Sequence, residues 1–314
     1  MILLPKKGYL KRMRIYLAEM YPPLSRIVSA ALLYLSFVGL LGRIHEVQLS
    51  LFSGFTLLGI WNIFAIFLIL RLMDELKDKE TDLELFRERP LPSGRVLESD
   101  IRFSLAVMFV SYLAANIWIG KMFWMAAALL GYSVLMFKYF FIPKILRRYL
   151  LLNLATHNPI IPLTLLYVVV LFSIEHGLSP EGLNWSFSLL LIGMYWAMGF
   201  AWEITRKIRS REEENAYVTY SQILGRLGAV ALAAVAQTAT FLIGLYFFHS
   251  LSLSWPFVAI LAAGYTVTVG AHARFVFNPN RITSKLKPSA EWFMMSLFVA
   301  LIVDQVLTAW PEVL

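Results

Sequence analysis

The chain contains no cysteine. Disulfides, thiolate metal centres and thioether haem attachment are therefore excluded. Histidine is scarce too. Five residues scattered over 314 are too few and too dispersed for the multi-histidine di-iron centre of a desaturase. Charge is thin, with Asp, Glu, Lys and Arg making up 15% of the chain. No soluble domain, low-complexity stretch or convincing internal repeat is visible, although two charged loops recur at similar places in the two halves.

Hydrocarbon is abundant instead. Apolar residues form 59% of the chain, and the mean hydropathy is +0.67. A soluble domain lies nearer half apolar. The apolar residues gather into runs of about twenty, the length a helix needs to cross a bilayer. The expected class is an all-α integral membrane protein with nine transmembrane helices in a single bundle, one domain over residues 1–314. Spans are expected at 27–41 (extending to His45), 51–73, 101–119, 123–141, 150–173, 187–204, 227–248, 256–275 and 292–309. Pro159 and Pro162 fall inside the fifth, where a kink rather than a break is expected because neighbouring helices can satisfy the freed carbonyls.

The opening segment has too short an apolar stretch for a signal peptide, and no small-residue cleavage site follows it. Residues 1–25 read as a basic amphipathic helix at the membrane surface, with Lys6, Lys7, Lys11, Arg12 and Arg14 facing anionic headgroups.

The net charge of +8 reports topology rather than nucleic acid, and no nucleic-acid partner is expected. Nine spans place every Lys and Arg except Arg43 and Lys121 on one side, that is 28 − 2 = 26 of them. The positive-inside rule makes that side cytoplasmic, with the N-terminus inside and the C-terminus outside. Any chemistry is expected at the cytoplasmic face.

The first charged loop follows the second span. Asp74, Asp78 and Asp82 recur at every fourth residue, and Glu75 joins Asp78 and Asp82 at helical spacing. In a continuous helix they share a face. Carboxylates so placed repel one another unless a cation neutralises them, and hard oxygen ligands with room for phosphate suit Mg²⁺. The alternative is a solvated helix end, with Lys77 and Lys79 interleaved to balance charge. A turn-rich stretch, Arg89-Pro90-Leu91-Pro92-Ser93-Gly94-Arg95, comes next. The second charged loop, after the sixth span, holds Glu203, Arg206, Lys207, Arg209 and Arg211, then Glu212, Glu213 and Glu214. It also reads as a basic patch for anionic lipid, and the three glutamates as a solvated run.

The first loop resembles the leading signature of the UbiA superfamily of intramembrane prenyltransferases, an NDxxDxxxD motif at the end of the second helix followed by an RPxPSG loop. Asp78 and Asp82 match directly; Glu75 stands for the first aspartate and Asp74 for the asparagine. At the superfamily's second motif, of DxxxD type, Glu203 takes the first position, but Lys207 stands where the second aspartate belongs. The motif match covers about forty residues; the topology match covers most of the chain.

The resemblance implies a Mg²⁺ site built by Asp74, Glu75, Asp78, Asp82 and Glu203, with Asp78, Asp82 and Glu203 at the catalytic centre. It implies diphosphate contacts from Lys77, Arg89, Lys138, Arg206 and Lys207, the lysine at 207 partly replacing a metal ion. It implies an isoprenoid diphosphate substrate, a hydrophobic or aromatic acceptor, and a multi-pass protein of a bacterial cytoplasmic membrane surrounded by lipid. Prenyl transfer is the commoner activity of the superfamily, and membrane terpene cyclisation without an acceptor is the alternative that the altered motifs keep open. A transporter or lipid-binding protein is a further alternative, though its site would lie near mid-membrane. A CDP-alcohol phosphotransferase needs an Asp-Gly motif, and the chain has no Asp-Gly.

Other polar groups lie within the spans. Asn153, His157 and Asn158 fall in the fifth, and Asp304 and Gln305 in the ninth, where an interhelical contact or an outer-leaflet crevice is expected. Lys144, Arg147 and Arg148 follow Lys138 and Tyr139 after the fourth.

Overall fold

The computed structural model describes residues 8–50, 52–215 and 217–309. Among them there are helices and short 3₁₀ turns and no strand. Nine stretches are long and apolar enough to span a bilayer: Pro23–His45, Gly54–Lys77, Glu98–Ile117, Gly120–Phe137, Leu150–Glu175, Trp185–Thr205, Tyr220–Ser250, Trp255–Phe277 and Lys287–Thr308. These are the nine expected spans with shifted ends. The chain divides into two compact units, Met1–Tyr34 with Phe52–Tyr149, and Leu35–Leu51 with Leu150–Leu314.

The first unit holds α1 (Tyr9–Met20), the start of α2 (Pro23–His45), α3 (Gly54–Lys77), α4 (Lys79–Leu85), α5 (Glu98–Ile117), α6 (Gly120–Phe137) and α7 (Pro143–Arg148). Helix α3 contacts both α5 and α6 and is largely buried. Asn116 donates to Asn62 Oδ1 at 2.8 Å, and each also donates to its own helix backbone, so these buried amides do not face hydrocarbon unpaired. Where α2 meets α3, Gly59 lies under the ring of Tyr34, and a Cβ at position 59 would overlap it. Small residues at such crossings let helices approach where lipid supplies no hydrophobic drive.

Helix α1 corrects one expectation. Lys11 and Arg14 are exposed, as a surface helix requires. Arg12 instead turns inward and forms a bidentate pair with buried Asp100 of α5, at 2.6 and 2.7 Å. Tyr9 hydrogen-bonds Ser104 at 2.9 Å, and Tyr16 is fully buried. A carboxylate at the start of α5 needs a cation once buried, and α1 supplies it. Lys6 and Lys7 lie outside the described residues.

The second unit holds the end of α2 and α8 (Leu150–His157), α9 (Ile160–Glu175), α10 (Trp185–Thr205), α11 (Tyr220–Ser250), α12 (Trp255–Phe277) and α13 (Lys287–Ala309). Helix α10 meets α9, α11 and α13, and α12 packs between α11 and α13. Tyr195 of α10 donates to Ser36 at 2.8 Å, and Thr240 of α11 to the Met194 carbonyl at 3.2 Å. Asp304 is fully buried and accepts the Ser254 N–H at 2.6 Å, so the expected interhelical contact is a cap on α12. Gln305 donates to the Leu35 carbonyl at 3.4 Å.

Two spans differ from expectation. The fifth divides at Asn158–Pro159 into α8 and α9 rather than merely kinking. Proline lacks an N–H and crowds the preceding turn. Restarting the helix puts Pro159 at its N-cap and Pro162 in its first turn, where no donor is needed. Asn158 then accepts the Trp196 indole N–H. The fourth span ends at Phe137 rather than 141, because Tyr139, Phe140 and Phe141 have φ of 49°, 48° and 60°. Three successive left-handed residues cannot continue a right-handed helix.

Candidate functional site

Each unit carries one charged cluster at a span end. The first begins where α3 ends. Asp78 is the junction to α4, with φ −97° and ψ 9°, but the helical hydrogen bonds run on: Asp78 N–H to Asp74 O and Asp82 N–H to Asp78 O, both 2.9 Å. The chain therefore keeps turning through the motif, and the carboxylates stay near one another without all sharing one face. Glu75 and Asp82 are buried, Asp78 is half-buried and Asp74 is exposed.

The two buried carboxylates each hold an arginine. Glu75 Oε1 accepts from Arg71 one turn earlier. Asp82 accepts Arg89 Nη1 at both oxygens, 2.8 and 2.7 Å, while the same guanidinium lies 4.1 Å from the centre of the Phe86 ring. Arg89 is carried on a closed loop: Ser93 N–H bonds Arg89 O, Val96 N–H bonds Pro90 O, and Gly94 turns with φ 72°. A side chain at 94 would be strained in that conformation. Arg95 donates at 2.8 Å to Glu19 of α1 and at 2.6 Å to the Glu88 carbonyl, tying the loop to α1. The Arg95 guanidinium holds the Glu19 carboxyl below its ordinary range.

A second group in this unit surrounds Tyr139. Lys77 Nζ lies 3.8 Å from the centre of its ring and donates to the Met136 carbonyl at 3.2 Å; the Arg147 guanidinium lies 5.1 Å from the same ring. Burial raises the Tyr139 hydroxyl pKa, and the charge of Asp78 adds to the rise. The left-handed 139–141 segment is what turns this ring to the end of α3. Lys138 is exposed, 5.1 Å from the Phe137 ring. The structure thus brings Lys77, Asp78, Tyr139 and Arg147 together.

The second cluster closes α10. Glu203 accepts Arg206 Nη2 at 2.9 Å and Lys207 Nζ at 3.2 Å. One carboxylate faces two cations, so the surplus here is positive. Lys207 Nζ also lies 5.8 Å from the Tyr220 ring centre. The following loop is tied down at Arg209 N–H, which bonds Ser221 Oγ at 3.0 Å. Of the three glutamates read as solvated, Glu212 is exposed beside Arg281, but Glu213 accepts from Ser210 at 2.9 Å and Ser284 at 2.5 Å. Burial works to raise the Glu213 pKa; these hydrogen bonds outweigh it and leave the carboxyl lowered.

Two groups here went unassigned in the sequence. Arg71 was detectable, since it stands four residues before Glu75 on a helix. Tyr16 carried no signal. Burial raises its hydroxyl pKa, and the charge of Glu75 raises it further. Of the fifth span's polar groups, His157 Nδ1 lies 2.9 Å from the Asn153 carbonyl within its own helix.

The donor chemistry of the first cluster fits Mg²⁺. Its acids are hard carboxylate oxygens, and Glu75 Oε2 is buried without a hydrogen-bond partner among the described residues. No three metal-ligating side chains are gathered among the described residues. A metal held here would take one or two protein carboxylates, its other ligands coming from water and phosphate. Glu203 faces two cations, Arg206 and Lys207.

No family model matches the sequence, and no curated protein matches it. Solved structures match by shape. One is a digeranylgeranylglyceryl phosphate synthase studied in membranes, with TM-score 0.61 at 15% identity over 94% of this chain and 99% of that one. Another is the apo structure of a UbiA homolog from Aeropyrum pernix K1, with TM-score 0.66 at 14% identity over 89% of this chain and 97% of that one. This chain therefore has the UbiA-type membrane helical fold, as the resemblance in its motifs implied.

Proposed function

We propose that this chain is a magnesium-dependent intramembrane prenyltransferase, which ionises an isoprenoid diphosphate and transfers the allylic group to a hydrophobic or aromatic acceptor. The observation that carries the reading is the pair of buried motif carboxylates, Glu75 and Asp82, at the end of a membrane span, one of them with an oxygen that no hydrogen bond engages among the described residues. The UbiA-type fold supports it.

Glu75, Asp78 and Asp82, with Asp74 beside them, would hold Mg²⁺. When bound, the metal supplies positive charge opposite the leaving diphosphate. Arg89 and Lys77 bind phosphate oxygens and stabilise the charge that develops as the group leaves, and Arg206 and Lys207 are further proposed phosphate contacts. Ionisation breaks the allylic carbon–oxygen bond, and its electron pair stays on the diphosphate. The acceptor's electron pair forms the new bond to carbon, and the acceptor then loses a proton. Apolar walls keep water from the allylic cation in the interval. The charged segments lie on the cytoplasmic side of a bacterial membrane in this reading, and residues 1–314 act as one domain.

The test is to incubate detergent-purified protein with Mg²⁺ and geranyl, farnesyl or geranylgeranyl diphosphate, first alone and then with aromatic and lipid acceptors. Products are followed by mass spectrometry. A prenylated acceptor that disappears with EDTA supports the reading. A cyclic hydrocarbon or alcohol formed without acceptor would make the chain a terpene cyclase. Intact diphosphate with every acceptor would count against prenyl transfer.

A further inference from the structure

The two buried ion pairs of the first motif are built the same way but are not equivalent. In both, the carboxylate is inside and the arginine is the exposed partner: side-chain exposure is 26% for Arg71 against 0% for Glu75, and 31% for Arg89 against 5% for Asp82. Glu75 nevertheless keeps Oε2 free of any hydrogen bond among the described residues, whereas both oxygens of Asp82 are engaged by Arg89. Glu75 can accept a further cation while Arg71 stays. On Asp82, Arg89 Nη1 bridges both oxygens, so a cation taking that bridging position must displace it.

Arg89 is built to leave. Its backbone is fixed in the closed loop by the Ser93 N–H to Arg89 O bond of 3.0 Å, so only the side chain need swing. A divalent cation alone would have to displace the guanidinium with nothing to receive it. A diphosphate offers oxygens that a guanidinium can grip with two nitrogens, whereas Asp82 takes Nη1 alone.

We propose that Arg89 is an exchangeable counter-ion. It neutralises Asp82 in the ligand-free protein and transfers to a phosphate when metal and diphosphate arrive together, so that the metal alone binds weakly. Arg71 is the resident partner and stays with Glu75. The proposal rests on the diphosphate reading given above and adds an order of binding to it.

Two binding measurements on the full chain in detergent test it. Mn²⁺ alone is titrated by electron paramagnetic resonance. Radiolabelled inorganic pyrophosphate is titrated separately at fixed excess Mn²⁺. Arg89→Gln should shift the two in opposite directions: Mn²⁺ alone about tenfold tighter, because Asp82 is vacated, and the metal–pyrophosphate complex about tenfold weaker. A loop-holding role would weaken both or move neither, and either result overturns the exchange. Should Arg89→Gln not fold, Arg89→Lys keeps the charge but loses the planar guanidinium and its capacity for a two-nitrogen contact with phosphate. Its Mn²⁺ affinity should stay within about twofold of wild type while pyrophosphate binding weakens, and wild-type pyrophosphate affinity would overturn the proposal. Wild-type protein that binds no metal–pyrophosphate would sink the diphosphate reading itself, an outcome distinct from failed exchange.

Discussion

Asp82 is buried at the end of an apolar span, where an unpaired charge is costly, and among the described residues Arg89 is the cation that neutralises it. Asp78, half-buried beside Tyr139, is the junction between α3 and α4. These two are the residues on which turnover is expected to depend. Asp78→Ala and Asp82→Ala should each abolish product formation while the protein still elutes as a folded species, and full activity in both would remove the metal-site reading. Lys207 belongs to a different test. It faces Glu203 together with Arg206, leaving surplus positive charge. A charge-assisted hydrogen bond contributes about 1.5–3 kcal/mol. Lys207→Ala should therefore weaken metal–pyrophosphate binding about tenfold or more by isothermal titration, and unchanged affinity would reassign the lysine to lipid contact.

Helices in this chain are joined by small residues and by side chains that satisfy backbone groups. The crossing of α2 and α3 depends on Gly59, whose missing Cβ makes room for the Tyr34 ring. Gly59→Ala should destabilise the protein by about 1–3 kcal/mol, the usual cost of overpacking, read as a lower unfolding temperature in detergent. Tyr34→Ala added to it should recover part of the loss, since it removes the atoms that clash; no recovery would mean that Gly59 matters for another reason. Helix α1 shows the same economy in charged form. Its Arg12 answers Asp100 and its Glu19 answers Arg95, so a segment with the composition of a lipid-binding helix is tied to α5 and to the arginine-bearing loop.

Over the whole molecule, the expected orientation rests on the distribution of basic residues along the sequence. A reporter active only in the cytoplasm, fused at the C-terminus, should be silent, whereas the same reporter at the N-terminus should be active. A strong C-terminal signal would break the expected orientation. The number and approximate position of the spans were legible because twenty apolar residues in a row have few other uses. The acidic motif and its proline-rich loop were legible through their joint resemblance to the UbiA signature; the carboxylate spacing alone also fits a solvated helix end. The helix ends were less so. The break at Asn158–Pro159 depends on what receives the freed polar groups, and the end of the fourth span on a left-handed turn through three aromatic residues that no local preference announces.

Sequence alone therefore determined the class, the span count and which residues carry charge at the span ends. Each of these follows from local composition and from the length of a helix relative to a bilayer. Only the tertiary structure decided the pairing of charges from separate elements: Arg89 on both oxygens of Asp82, and Arg12 drawn away from the surface to Asp100. The physical reason is that a buried carboxylate takes whichever cation the packing brings within reach. For Asp82 and Asp100 that cation lies on a separate loop or helix, and spacing along the chain does not say where those elements come to rest.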